Sequence, residues 1–256
     1  MDATISATRP ARIGPALATF ALVVGLLCGA AALLAGPAYR VEALALGPAL
    51  QTMRWAATIA IGGTVVALVA GLLLMARPVV ARARGLAVVA LLVNALVAAP
   101  PLYMYWQLQH LPKIHDISTS SDNPPTFEAL LPLRKGARNA VDYPASTAAE
   151  QHKGYPDIGP LMLPLAPPVA FERAVQAARA MGWDIVDTAP DKLRLEATDT
   201  TLLFGFKDDI VVRVTPQAQG SVVDVRSLSR VGGSDFGTNA ERVRNYLKRL
   251  SASASS

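Results

Sequence analysis

The segment around His115 contains residue types that can do general-base chemistry. His115 and Asp116 are followed by Ser118 and Thr119, and an imidazole beside a hydroxyl is the basis of nucleophilic catalysis. Adjacent side chains on an extended chain point in opposite directions, so the spacing does not place a hydroxyl within reach of the imidazole. The three histidines of the chain are too scattered for a zinc pattern. The sequence therefore predicts no metal site and no cofactor, and it assigns no catalytic residue.

A second candidate site is the loop at 229–239, before the last predicted helix. It contains two glycines and the pair Ser234-Asp235, with Arg230 near its start and Asn239 at its end. Successive backbone amides in such a turn can bind an anion. The favoured alternative is structural: the glycines allow a tight crossing, and Ser234 or Asp235 bonds loose amides. The stretch lacks the lysine and the glycine density of a phosphate-binding loop.

Arginines on one face of a predicted sheet form a third candidate, a surface for a small anionic ligand that residues 107–167 would close. Alternation in the last two predicted strands places Val214 opposite Val223. Arg213 then lies across from Asp224 on the other face, with Arg226 one pair further on. Two further charged residues are expected on this face, Arg194 and Glu196. The alternative is an ordinary charged solvent face, where each ion pair contributes about 0.2–1 kcal/mol.

These candidates belong to a C-terminal region, 168–256, whose pattern is typical of an α+β domain. An apolar helical stripe ends at Gly182. A final helix is predicted at about 239–250, with a capping box formed by Thr238 and Glu241. Asp208 and Asp209 are interpreted as a hairpin turn. The short runs typical of strands are 183–188, 193–198, 201–206, 210–215 and 222–228. This order predicts an antiparallel sheet of four to five strands with two helices on one face.

Residues 107–167 are rich in Pro, Ser, Asp and Asn and show little periodicity. They nevertheless retain apolar residues throughout. We therefore expect an ordered, extended arm that lies across the following domain. The alternative is a disordered spacer.

Residues 1–106 contain three long apolar stretches, at about 15–36, 55–76 and 85–106. About 20 helical residues cross a hydrocarbon core of about 30 Å, so each stretch predicts a transmembrane helix. None contains an ionisable residue, and Asn94 is the only strongly polar side chain deep in a span, which favours an anchor over a transporter. Small residues such as Gly25 and Gly29 allow close helix packing and a homo-oligomer. The sole cysteine, Cys28, lies in the first span.

The net charge of +5 comes entirely from the membrane region. From Gln107 onward 17 basic residues balance 17 acidic ones, so the charge gives no reason to expect nucleic-acid binding. Five arginines flank one side of the predicted spans, whereas two lie in the loop at 37–54. The positive-inside rule then predicts a cytoplasmic N-terminus and, in a bacterium, a periplasmic or extracellular C-terminal domain anchored in the inner membrane. The alternative for the first stretch is a cleaved signal peptide.

Several pieces of the C-terminal half resemble a known family. The pieces are HDIST at 115–119, NPP at 123–125, Gln151, YPDI at 155–158, GW at 182–183, EAT at 196–198, FGFKDDIVVR at 204–213 and DVRSLSRVGGSDFGTNAERVR at 224–244. Together they resemble the uncharacterised bacterial and plastid family catalogued as domain of unknown function 1499. The resemblance covers about 110–250, and some members similarly carry N-terminal membrane helices. It implies no activity, and no catalytic residue carries over.

The leading hypothesis is thus a non-enzymatic envelope protein, whose exported α+β domain binds a protein partner or a small ligand. Residues predicted to contact such a ligand are Arg213, Arg226, Arg230, Ser234, Asp235, Asn239, His115 and Asp116. The alternative is an envelope enzyme, such as a hydrolase, that uses His115 and Asp116 or the Ser234-Asp235 loop.

Overall fold

The computed structural model describes residues 13–75 and 81–254. The chain forms two compact units, Met1–Trp106 and Gln107–Ser256. The first contains helices α1 (Ile13–Arg40), α2 (Leu46–Met75) and most of α3 (Ala81–His110), and all three are long and apolar enough to cross a membrane. Ala76, the end of the second predicted span, lies outside the described residues. So do Arg9, Arg12 and Arg77, on which the predicted orientation depends.

The amide of Asn94 lies where the three apolar helices meet. It is fully buried, and its Nδ2 donates to the carbonyl oxygens of Ala21 on α1, at 2.9 Å, and of Ala90 on α3, at 2.8 Å. Gly25 on α1 and Gly63 on α2 face this amide, and a methyl group built on either glycine would overlap it. The small residues therefore make room for one polar side chain between the helices.

The second unit is built on one open antiparallel sheet. Its strands are β1 (Asp116–Ser118), β2 (Leu161–Leu163), β3 (Asp184–Ala189), β4 (Arg194–Thr200), β5 (Lys207–Gln217) and β6 (Gly220–Ser229). The order is β1-β6-β5-β4-β3, and β2 also pairs with β6. The remaining elements are a 3-10 turn (Pro132–Arg134), α4 (Ala145–Gly154), α5 (Pro167–Ala180) and α6 (Thr238–Ala254). The predicted α+β class is confirmed, and the described sheet has six strands because residues 107–167 contribute two short ones.

Helices α5 and α6 pack against one face of the sheet and form the main hydrophobic core with it. The ring of Trp183 stacks on that of Tyr246 at 4.8 Å, and the Tyr246 hydroxyl donates to the carbonyl of Ala174 on α5. The strand residues of this core include Leu195, Ala197, Ile210, Val212, Val214, Val223 and Val225. Their alternation leaves the intervening side chains on the opposite face.

The predicted register of the last hairpin is confirmed. Val214 pairs with Val223, and Arg213 pairs with Asp224. The ion pair between Arg213 and Asp224 has an N–O distance of 2.9 Å. Strand alternation was therefore sufficient to align β5 with β6.

Three local predictions were wrong. Residues 201–206 form the loop between β4 and β5 instead of a strand. Asp208 and Asp209 lie within β5 rather than in a turn, because buried arginines neutralise both carboxylates. At the start of α6 the amides of Gly237 and Asn239 are bonded by the Asp235 carboxylate, which takes the role predicted for Thr238.

Candidate functional site: an ionic layer between the sheet and the arm

The face of the sheet opposite the helices carries charged residues and is covered by arm residues 119–143. Glu196 and Asp209 are fully buried, and Arg226 is 2 % exposed. We refer to the charged residues between sheet and arm as the ionic layer. Its members are Asp116, Glu128, Arg134, Arg194, Glu196, Asp209, Arg213, Asp224, Arg226 and Arg230. The interpretation of this face as an ordinary solvent face was therefore wrong.

Arg226 on β6 is surrounded by acceptors. Its Nε and Nη2 donate to the two carboxylate oxygens of Asp116, at 3.0 and 2.7 Å. Its remaining donors reach the carbonyls of Pro125 and Val141 in the arm. The guanidinium also lies over the rings of Phe127 and Tyr143, at 5.2 and 5.3 Å from their centroids. Burial raises the pKa of Asp116, while the bonds from Arg226 act in the opposite direction.

Asp209 on β5 is shared by two arginines from different segments. Arg230 donates to both carboxylate oxygens at 2.8 Å, and Arg134 of the arm donates at 2.5 Å. The hydroxyl of Thr198 adds a further bond of 2.8 Å. This carboxylate therefore joins β4, β5, the end of β6 and the arm.

Glu196 on β4 holds a turn of the arm through backbone amides. Its oxygens accept from the N–H groups of Glu128, Ala129 and Leu130, at 2.6, 3.2 and 2.7 Å. Arg194 donates to the same carboxylate at 2.5 Å and to Glu128 at 2.9 Å. Beside this turn, Phe127 and Leu130 of the arm pack on Val211 and Leu228 of the sheet.

A second polar cluster connects the start of α6 to the sheet. Arg242 donates to Asp208 at 2.7 Å and to Asp199 at 2.9 Å. The Asn239 side chain is fully buried, accepts from the hydroxyl of Ser227 at 2.7 Å, and donates to the carbonyl of His115 at 2.9 Å. Burial raises the pKa of Asp235, and the bonds that its carboxylate accepts from the amides of Asn239 and Gly237 oppose that effect.

The eight predicted ligand-contacting residues form several local partnerships. Asp116 pairs with Arg226, whereas Arg213 pairs with Asp224 and Arg230 with Asp209. Each of the three arginines thus forms an ion pair with a different carboxylate. Asn239 bonds the backbone of His115, not its imidazole.

The hydroxyls proposed for catalysis have other partners in the structure. The Ser118 hydroxyl donates to the carbonyl of Ser120, and the Ser234 hydroxyl accepts from the amide of Phe236. Among residues 13–75 and 81–254, no group of three His, Cys, Asp or Glu side chains is arranged to hold a metal ion.

Sequence reasoning missed several members of these networks. Arg134, Asp208, Asp209 and Arg242 were not proposed as site residues, although they make buried ion pairs. Gln151 was also missed: its side-chain amide bonds both the N–H and the C=O of Ser118, as a neighbouring strand would. One signal in the sequence could have identified them. Charged residues recur at alternate positions of the predicted strands, and the C-terminal half has equal numbers of basic and acidic residues, which is typical of ion pairs formed within the domain.

The fold and the ionic layer define a class of protein: three long apolar helices followed by an α+β domain whose second sheet face is closed by its own arm. The chain belongs to the family described as "Protein of unknown function (DUF1499)", and the match covers residues 116–250. The resemblance found in the sequence is therefore confirmed. The match extends from β1 into α6 and contains every member of the ionic layer. No curated protein matches the chain.

Proposed function

We propose that this protein is a non-enzymatic envelope protein that presents its α+β domain to a protein partner. The three apolar helices anchor it in a bacterial inner membrane, with the N-terminus in the cytoplasm and the domain in the periplasm or outside the cell. The orientation is supported by the distribution of arginines around the spans, five against two.

The ionic layer favours a protein partner over a small anion. Arg226 and Arg230 each give two donors to one buried carboxylate. An anion binding there would have to displace Asp116 or Asp209. A buried charge that is left without its partner costs about 3–5 kcal/mol, so the layer is better suited to holding the arm than to exchanging ligands.

The observation that carries the proposal is the outer edge of β3. This strand is last in the sheet order and, within the described parts of the chain, pairs only with β4. Its residues alternate between exposed and half-buried, and Val186 is 38 % exposed. A cavity of about 250 Å³ lies beside it, lined by residues of α5, of β3 and of the turn that follows β3: Phe171, Glu172, Val175, Gln176, Arg179, Thr188 and Pro190.

An edge strand beside a helix groove suits the addition of an extended peptide. The free backbone groups of the edge supply hydrogen bonds, while the groove accepts alternate side chains of the added strand. The register of β3 with β4 shifts between Ile185 and Asp187. Such an irregularity discourages flat pairing between identical edges, so we expect a specific partner segment.

Site-specific photo-cross-linking in native membranes tests this function. A photoreactive residue at Gln176, on the groove, is expected to give a discrete adduct with a partner. The adduct should be lost when Val186→Lys places a charge on the edge. Ala218→Lys, in the exposed hairpin between β5 and β6, is the matched control and should leave the adduct unchanged. No adduct, or one that survives Val186→Lys, would contradict edge binding.

A further inference from the structure

The loops at the two ends of the sheet differ in polarity. At one end, residues 201–206 between β4 and β5 form a loop that we call the apolar tip. Its Leu202 side chain is 91 % exposed, and its rings Phe204 and Phe206 stack at 5.1 Å. At the other end, the β5–β6 hairpin exposes Gln217, Ala218 and Gln219. Only the first of these two loops presents a large aliphatic side chain to solvent.

The apolar tip lies at the end of the sheet where the chain enters the domain. Gln107, the first residue of this unit, donates from its side chain to the carbonyl of Phe236 at 2.9 Å. The amide of Asp235 bonds the carbonyl of Ile114 at 3.1 Å, and the amide of Arg230 bonds that of Lys207 at 2.9 Å. These bonds place the entering chain, the loop at 230–237 and the base of the apolar tip at one end.

The sequence that precedes Gln107 gives a reason to expect lipid near this end of the domain. The inference rests on the proposed membrane anchoring: the apolar stretch at 85–106 finishes immediately before Gln107, so few residues of sequence would separate the hydrocarbon core from the domain. Gln107 and the loop bonded to it would then be expected near the lipid headgroups. The exposed side chains of Lys113 and Lys207 lie at the same end, and lysines near a membrane surface are attracted by anionic headgroups.

We propose that the apolar tip inserts into the boundary between the headgroups and the acyl chains of the bilayer. Leu202 would bury its side chain among the lipids, and Lys207 at the base of the tip would remain at headgroup level. The domain would then have two attachments to the membrane, the covalent one through α3 and the tip. This role is independent of any partner bound at β3.

Nitroxide depth measurements on the full-length protein in lipid nanodiscs test the proposal. Because Cys28 is the only cysteine, a Cys28→Ala background allows one label to be attached at Leu202→Cys. Ala218→Cys, at the polar hairpin, is the matched control. The ratio of collisions with oxygen to collisions with a water-soluble nickel complex rises with depth in the bilayer. It is expected to be several-fold higher for the label at position 202 than for that at 218.

Two results would overturn the proposal. Equal ratios at the two positions would mean that the tip is in water. A label at position 202 shielded from both oxygen and nickel would mean that protein covers the tip. Circular dichroism of both variants checks that each domain is folded. An intermediate variant, Thr201→Cys, should show a shallower position than Leu202→Cys if the tip points into the bilayer.

Discussion

Individual charges in the ionic layer matter because most of them, such as Arg226 and Asp209, are buried with their counter-ions. Arg226 and Asp116 expose 3 % and 4 % of their side chains, whereas Arg244 and Asp157, which also form a two-bond pair, expose 41 % and 56 %. The same chemical pair thus occurs in the interior and at the surface of one domain. The buried pair loses more when one partner is removed, because the remaining charge is left without compensation in a low-dielectric site.

Replacing Arg226 is therefore expected to be much more damaging than replacing Arg244. Arg226→Met should lower the free energy of unfolding by about 3–5 kcal/mol, because it leaves Asp116 buried and unpaired. Arg244→Met should lower it by less than about 1 kcal/mol. Denaturant unfolding of the full-length protein in nanodiscs measures both, followed by Trp183 fluorescence in a background in which Trp55 and Trp106 are replaced by Phe. Similar losses for the two variants would contradict the burial of the ionic layer.

Because the pKa of Tyr143 is raised, we expect the free energy of unfolding to fall at alkaline pH. Its hydroxyl donates to Gln151 at 2.9 Å, and burial, together with the charge of Asp116, raises its pKa from 10.0 to about 12. Above the ordinary pKa the unfolded chain loses this proton while the folded chain keeps it. The free energy of unfolding should therefore fall as pH rises from about 10 to about 12, with no contribution at lower pH.

The variant Tyr143→Phe isolates this contribution. Tyr155 and Tyr246 also have pKa values raised by burial, and they remain in the variant. Unfolding measured across the alkaline range should show a shallower decline in Tyr143→Phe than in the parent. Parallel curves would mean that Tyr143 ionises at its ordinary pKa.

At the level of elements, the helices of the first unit are fitted together around Asn94. Gly62 and Gly63 are neighbours on α2 but face different surroundings. A methyl group on Gly63 would overlap the Asn94 amide, whereas none of the described atoms lies within 4 Å of one on Gly62. The two glycines therefore form a matched pair: they occupy almost the same position along α2, but only Gly63 is packed against another helix.

Gly63→Ala is expected to weaken the packing of the three helices, and Gly62→Ala is not. Inserting a carbon into a packed interior costs about 1–3 kcal/mol, and both substitutions raise helix propensity equally. Unfolding of the full-length protein in mixed micelles compares them, followed by Trp55 fluorescence in a background in which Trp106 and Trp183 are replaced by Phe. A loss of stability from Gly62→Ala as large as that from Gly63→Ala would mean that the glycine contact with Asn94 is unimportant.

Alternation and helix periodicity were enough to predict β3 to β6, α5, α6 and the facing of Val214 and Val223. They could not identify β1 and β2, because three residues are too few to show a period. Residues 201–206 have the composition of a strand, yet Gly205 adopts a φ of +66° within the loop. Asp208 and Asp209 were predicted to form a turn because two adjacent aspartates are unfavourable in a strand unless cations neutralise them. The partners of Asp208 and Asp209 include Arg134, Arg230 and Arg242, which local sequence does not connect.

At the level of the whole molecule, the predicted orientation of the domain depends on few residues. Arg9, Arg12, Arg77, Arg82 and Arg84 flank one side of the predicted spans, and Arg40 and Arg54 lie on the other. An imbalance of this size in short loops favours retention of the more basic side in the cytoplasm. The 17 basic residues of the domain do not enter this balance, since long loops and domains cross the membrane largely regardless of their charge.

Reporter fusions are expected to show opposite results at two points of the chain. Alkaline phosphatase, which is active only outside the cytoplasm, should be active when fused after Ser256 and inactive when fused after Arg84. Green fluorescent protein at the same points should give the reverse pattern. Substituting glutamate for Arg82 and Arg84 should reduce the difference. An inactive phosphatase after Ser256 would place the domain in the cytoplasm.

The pairing of β1 with β6 has a consequence for how the domain is made. Asp116 pairs with Leu228 and Ser118 with Arg226. The strand β1 is synthesised first, but it cannot form these pairs until β6, the last strand, has been synthesised. Loop closure over such a separation is slow, and folding rates fall as contacts become less local. Until β6 emerges, Asp116 lacks Arg226. The domain therefore matures late in its own synthesis, and a chain interrupted before β6 would offer an unpaired arm to the proteases that dispose of incomplete proteins.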